Sequence, residues 1–249
     1  MTALAASLLL VFWMVLPQAH AADLVLVPDP AKVALTRGSF ALYVGDRYAG
    51  MLLLDGAPVE PGGARLVATF TAVSEPEPPT WQESVDIDLA GTILALRHAE
   101  GEGERSFGPD KKGRMVERFV ASGLDAAPPT EAVLDAVDGP VSNAHLLMSV
   151  LPGLATPLKG DRWVGHLLDG SKSGYVDATV TWQGPLPIGG GRTGQVAALS
   201  RAEGAPQAYV VADGALVSLM VQAAGMQWVA APREQLLQRH AQESQAPGR

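Results

Sequence analysis

Along most of the chain apolar and polar residues alternate one by one, as in strands that turn one face to a core and the other to water. Val85, Ile87 and Leu89 alternate with Ser84, Asp86 and Asp88, and Val176, Ala178, Val180 and Trp182 alternate with Tyr175, Asp177, Thr179 and Thr181. Further strands are predicted near residues 39–44, 48–54, 64–73, 92–98, 114–120, 162–168, 193–201, 207–213 and 215–222, about eleven in all. Gly45-Asp46-Arg47, Ala90-Gly91 and Asp213-Gly214 punctuate neighbouring runs. Asp-Gly suits a type I′ turn, whose central residues need φ > 0, so sequential strands are expected to pair as an antiparallel meander. Residues 74–80, with Pro76, Pro78 and Pro79, read as an exposed loop because proline has no N–H to give a ladder. Residues 51–54, Met-Leu-Leu-Leu, need cover on both faces.

One stretch changes period. Residues 130–150 predict two short helices broken at Gly139-Pro140, the first capped by Thr130. In the second, Ala144, Leu146, Leu147, Met148 and Val150 leave little polar face, the pattern of a helix buried against a sheet. After Pro232 the chain turns polar, and residues 233–244 predict a short helix within a C-terminal tail, residues 233–249. The fold class is therefore mainly β: a curved antiparallel sheet or half-barrel of about eleven strands with a two-helix segment packed on it. Triple glycine at 189–191 before Arg192 lacks the ending of a phosphate-binding loop and is read as a flexible hairpin loop.

Residues 3–16 carry no charge and lead to Ala19-His20-Ala21, an h-region with an A-x-A cleavage site, although no Lys or Arg precedes the run. The apolar run is shorter than the ~20 residues that span a bilayer. The expectation is a signal peptide over residues 1–21, a mature chain starting at Ala22, one β-rich domain over 22–232, a periplasmic or extracellular location and no stable membrane span after processing. Charge supports this destination only by exclusion: 18 Lys+Arg against 26 Asp+Glu gives a net charge of −8, unsuited to nucleic acid. With no cysteine, there is no disulfide, zinc-thiolate site or thiol nucleophile.

Candidate chemistry is sparse. No G-x-S-x-G elbow is present, and His98, His145, His166 and His240 are dispersed. Asp86 and Asp88 share a strand face opposite Val85 and Ile87 and are read as solvated carboxylates rather than metal ligands. His98, in register with Leu94 and Leu96, and His145, in the apolar helix, are read as hydrogen-bonded structural histidines. Trp182 is read as core, and Trp81, following the proline-rich loop, as the best candidate for an exposed aromatic. No metal site and no cofactor are expected.

The order of elements, with Phe40 to Val44, Tyr48-Ala49-Gly50, the helical segment and the turn Leu158-Lys159-Gly160-Asp161, resembles an exported bacterial β-rich domain family of unknown function. The layout is also similar to the half-barrels of periplasmic lipoprotein carriers, which implies a curved sheet closed by helices over an apolar cavity. The resemblance implies no catalytic residues. The leading expectation is a non-enzymatic envelope protein that holds an apolar or amphipathic ligand, such as a lipid acyl chain, between sheet and helices. Met148, Leu151 and Trp81 are its candidate ligand-binding residues. The alternative is a structural or protein-interaction module of the envelope, docking a protein partner through a sheet edge or the 74–80 loop. An enzyme using Glu83 and Asp86 as paired acids ranks third.

Overall fold

The computed structural model describes residues 22–73, 80–101, 103–123, 127–154, 157–221 and 224–244. The leader and all but Thr80 of the 74–80 loop lie outside them. Helix α1 (Pro30–Ala34) precedes strands β1 (Arg37–Val44), β2 (Arg47–Val59), β3 (Gly63–Ala72), β4 (Thr80–Ile87), β5 (Ile93–Glu100), β6 (Gly103–Pro109), β7 (Met115–Ala121) and β8 (Thr130–Val133). Then come β9 (Val141–Ser142), helix α2 (Ala144–Val150), a 3-10 turn (Leu151–Gly153) and β10 (Arg162–Leu168). The chain continues through β11 (Tyr175–Gly189), β12 (Arg192–Arg201), β13 (Gln207–Ala212), β14 (Ala215–Val221), β15 (Met226–Ala230) and helix α3 (Arg233–Ser244).

These strands form one sheet in the order β8-β7-β6-β5-β4-β3-β2-β1-β15-β14-β13-β12-β11-β10-β9. Strands β1–β8 and β10–β15 are two antiparallel meanders joined in the middle where β1 pairs antiparallel with β15. Strand β9 departs from the expected antiparallel pairing by lying parallel to β10, because α2 and the 3-10 turn carry the chain back between them. So wide a twisted sheet curls. Only residues 134–140 connect β8 at one edge to β9 at the other, a reach of at most about 28 Å, so the edges must approach one another. The Leu134 N–H donates to the Met115 carbonyl (2.9 Å) and the His166 N–H to the Pro140 carbonyl (2.9 Å), pinning this connection at both ends. Ser173 Oγ donates to Glu117 Oε2 (2.5 Å), tying the β10–β11 connection to β7.

The concave face holds a continuous core that includes Leu54, Leu66, Val85, Leu96, Trp163, Trp182 and Tyr209. Onto it pack α1, α2 and the 3-10 turn, with α1 over β2 and β3 and the turn over β13 and β14. Leu146 and Leu147 are each 0% exposed. On the other side of the sheet, α3 docks on β1 and β2: Arg233 makes a bidentate bond to Asp55 (2.6 and 2.9 Å), and the Arg239 guanidinium lies 4.4 Å from the Tyr48 ring centroid. Burial there pushes the Tyr48 hydroxyl up to about 12, against the opposing pull of Arg239. The polar end of the chain is thus a docked helix. No helix among the described residues is long and apolar enough to cross a membrane.

The strand class holds, but the strand count rises to fifteen among the described residues. β6, β8, β9 and β15 escape the pattern because they are short or nearly devoid of alternation; pairing with a neighbour, not side-chain period, makes them strands. Of the two expected helices only the second forms. Residues 130–133 are exposed throughout and pair with β7 as an edge strand, since they offer no apolar stripe for a helix to bury. Asn143, not Thr130, caps the helix that exists. The 189–191 glycines all have positive φ (89°, 60° and 73°) and form the expected hairpin between β11 and β12, with pairing that reaches Gly189 and Arg192. The Asp213-Gly214 turn has φ of 53° and 71°, as type I′ requires. Leu89 is 71% exposed because β4 ends at Ile87, and Leu94 is 45% exposed because an irregularity opposite Asp86 and Ile87 shifts the register of β5.

Candidate functional site

The inward face of β4 reads Trp81, Glu83, Val85, Ile87. Three of these join the core in the ordinary way, and a carboxylate sits among them: Glu83 is 4% exposed. A buried carboxylate must be paired and hydrogen-bonded, and here the partners come from three elements. Asn143, at the cap of α2, donates from Nδ2 to Glu83 Oε1 (2.9 Å), and His145, in the first turn of α2, donates from Nδ1 to the same oxygen (2.7 Å). His98, directly opposite Glu83 on β5, brings its Nδ1 to 3.4 Å from Glu83 Oε2, an ion-pair distance without the alignment of a hydrogen bond. Its Nε2 lies 3.7 Å from Glu100.

Asn143 uses its whole side chain. Its Oδ1 accepts from the N–H groups of His145 (2.8 Å) and Leu146 (3.4 Å), the N-cap bonds of α2, and its Nδ2 also donates to the Leu168 carbonyl at the end of β10 (3.0 Å). One residue therefore caps α2 and bridges β4 to β10, across the gap between the two halves of the curled sheet. Gly170, just beyond β10, completes the enclosure. A Cβ there would collide with Glu83 Oε2 and come within 2.6 Å of the His98 Cβ. We expect Gly170→Ala to lower stability by roughly 1–3 kcal/mol through overpacking. Gly101→Ala, which adds a methyl to open space, should stay within about 0.5 kcal/mol. Urea unfolding midpoints of the two variants check this pair.

Burial pushes the Glu83 carboxyl up, but the charge on His145, the bonds from His145 and Asn143 and the nearby His98 imidazole outweigh it and hold the group well below the usual carboxylate range. Burial pulls the His98 imidazole down, and its proximity to Glu83 and Glu100 more than compensates, leaving it raised. Both oxygens of Glu83 are engaged and the residue is closed to solvent. A general base needs a free lone pair facing a substrate, so the arrangement is a polar latch holding α2 to β4. Among the described residues no cluster of three or more His, Cys, Asp or Glu is placed to hold a metal ion.

Trp81 stacks at the border of the latch, its ring 5.3 Å from His145, 5.7 Å from His98 and 5.6 Å from Phe70. It is half-buried and packs on the chain's own imidazoles rather than standing free. Phe70 in turn lies over Gly50, where a Cβ would come within 2.9 Å of the Phe70 ring and 2.6 Å of the Thr71 carbonyl. The glycine of the Tyr48-Ala49-Gly50 motif thus makes room for the aromatic that backs Trp81. Met148 and Leu151 are 4% and 1% exposed, close-packed in the main core. The opening beside α2 is a crevice of about 60 Å³ lined by Val33, Ser149, Val150 and Leu154, room for about two waters. Trp81 packs on His145, three residues before Met148, whereas the 3-10 turn that holds Leu151 packs over β13 and β14.

Glu83 and Asp86 do not pair: their odd spacing puts them on opposite faces, and Asp86 points outward into a bidentate bond with Arg65 (2.5 and 2.7 Å). Asp88 caps the β4–β5 turn by accepting from the N–H groups of Ala90 and Thr92. Asn143 is the residue that reading the pattern overlooked, and Glu83 was considered only as one of a pair of acids with Asp86. The signal for Glu83 was its parity with Val85 and Ile87, since an acid at an inward strand position demands a partner. Compared with family models, curated proteins and solved structures, the chain shows no match to a family, to a curated protein or to a solved structure.

Proposed function

We propose that this is an exported, non-enzymatic envelope protein that takes an apolar or amphipathic ligand, an acyl chain of a lipid, onto the concave face of its sheet. The observation that carries the reading is the way the face is covered. A seven-residue helix plugs it with Leu146, Leu147 and Met148 and is fastened at its N-terminal end by a buried polar latch rather than by apolar packing alone. A buried ion pair is seldom the most stabilising choice at such a place. It does make the contact all-or-none, which suits a cover that must hold and then release. The 60 Å³ crevice cannot seat an acyl chain, so the ligand enters by displacing α2, exposing Met148 and, beyond it, Leu151, with Trp81 at the border. The likeness of layout to lipoprotein carriers is consistent with this reading and adds only an analogy.

A fluorescent fatty acid titrated into delipidated protein should bind saturably at micromolar concentration or tighter. Glu83→Gln, which loosens the latch, should speed uptake several-fold. Native mass spectrometry of protein purified from the envelope should show a co-purifying lipid. Absence of saturable binding in both forms removes the carrier reading. The reading then in front is the protein-interaction module, favoured by β8, an edge strand whose four residues are all exposed and whose outer side pairs with no strand among the described residues.

A further inference from the structure

The turn Leu158-Lys159-Gly160-Asp161 has a role that the ligand reading does not use. Asp161 is 7% exposed, and both of its carboxylate oxygens are committed. Oδ2 accepts from the Leu158 N–H within the turn (2.8 Å), and Oδ1 accepts from the backbone N of Ala22 (3.1 Å). The residue is held in place by its own backbone, whose carbonyl accepts from the Trp182 N–H (2.8 Å). Among the described residues no lysine or arginine forms an ion pair with it. A buried carboxylate whose only partners are neutral amides lacks the counter-charge that such groups normally have.

Ala22 is also the residue that follows the A-x-A site, and the segment it opens has a structural task. The Ala22 carbonyl accepts from the Arg162 N–H (3.0 Å), and the Leu24 N–H donates to the Arg162 carbonyl (2.6 Å), so the segment runs beside β10. It then buries Leu26 in the core and reaches Gly91 in the β4–β5 turn, where a Cβ would strike the Pro28 carbonyl. Residues 22–28 are a strap from β10 to the other half of the curled sheet.

We propose that cleavage between Ala21 and Ala22 creates an ion pair between the α-ammonium of Ala22 and the carboxylate of Asp161, which anchors this strap. Hydrolysis of the amide by an export peptidase adds one water, leaves a carboxylate on Ala21 and leaves an amine on Ala22 that takes up a proton. The nitrogen already lies within hydrogen-bond distance of Asp161; cleavage supplies the charge. The other charged groups nearby are otherwise engaged. Asp23 pairs with Arg162 (3.2 Å), and the Lys159 stem lies beside Gly184, where an added Cβ would meet it at van der Waals distance. The inference is independent of the ligand reading.

The test uses the full chain expressed with its leader in an exporting bacterial host. Intact mass should place the first residue at Ala22; a different first residue overturns the proposal. Acylation of the α-amine at pH 8 should be about fivefold slower in the folded than in the urea-unfolded protein, because the paired ammonium gives up its proton about one pH unit above the ordinary amine value of about 8; equal rates overturn it. A chain carrying one extra glycine before Ala22 keeps Asp161 but moves the ammonium away. Because pairing raises the proton affinity of the amine, the processed chain should melt higher than the extended one below the ordinary amine pKa of about 8. The difference should fade as pH rises through the higher value of the folded state. Asp161→Asn should lower the melting temperature of the processed chain more than that of the extended chain. Equal loss in both would mean that Asp161 serves only the Leu158 N–H, and the proposal fails.

Discussion

Leu147→Asp is expected to unfold the protein or leave it barely folded at room temperature. Leu147 is 0% exposed, on the face of α2 that plugs the curled sheet. Among the described residues the imidazoles of His145 and His98 already face Glu83 and are not free to neutralise a carboxylate there. The substitution combines loss of a fully buried leucine, about 3 kcal/mol or more, with the burial of an uncompensated charge costing several kcal/mol. A domain stable by only ~5–15 kcal/mol has little left after that. Circular dichroism during thermal melting measures the effect. Leu237→Asp on α3, where the leucine is 42% exposed, should change the midpoint little. An unchanged midpoint for Leu147→Asp would mean that α2 is not part of the cooperative core, and the proposed plug would lose its basis.

The second large effect is the pH profile of the latch. Glu83 has its carboxyl held low in the folded protein, so its stabilising contribution is complete above the unfolded value of about 4.3 and is lost as pH falls through the folded value. His98 is raised, so its contribution is complete below about 6.5 and is lost as pH rises through its folded value. Stability attributable to the latch should therefore be greatest between about pH 4.5 and 6.5 and weaken on the alkaline side. His98→Gln should abolish the alkaline weakening while leaving the acid limb. Glu83→Gln should flatten both limbs and cost roughly 3 kcal/mol near pH 6, the usual consequence of removing one member of a buried pair. Urea midpoints measured from pH 4 to 9 test the signs. A wild-type profile that rises through pH 7 would contradict the assignment of His98.

Much of the frame was legible in the residue pattern. Alternation at residues 85–87 and 175–182 located strands that bury one face, Asp213-Gly214 located a type I′ hairpin, and the crowding of Leu146, Leu147 and Met148 announced a helix with no wet side. These features depend on neighbours in sequence: backbone geometry fixes the two-residue period, and an apolar helix must be covered wherever it goes. Of the two histidines read as hydrogen-bonded, His145 bonds Glu83, whereas His98 lies 3.4 Å from it without a hydrogen bond.

What the pattern could not contain was the closure of the sheet. β8 and β9 lie at opposite edges of the strand order, yet residues 134–140 join them, so the curl is a property of fifteen twisted strands together and of no segment. That curl brings Glu83, His98, Asn143, Leu168 and Gly170 into one cluster from separations of up to 87 positions. It turns a lone inward acid, which reads as an anomaly in a strand, into the latch for a helix. The amino-acid sequence by itself determined which faces are apolar and where the chain turns. Only the tertiary structure decided which polar groups meet inside. Burial obliges every charge to find a partner, whereas the identity of that partner depends on distances that long-range folding alone sets.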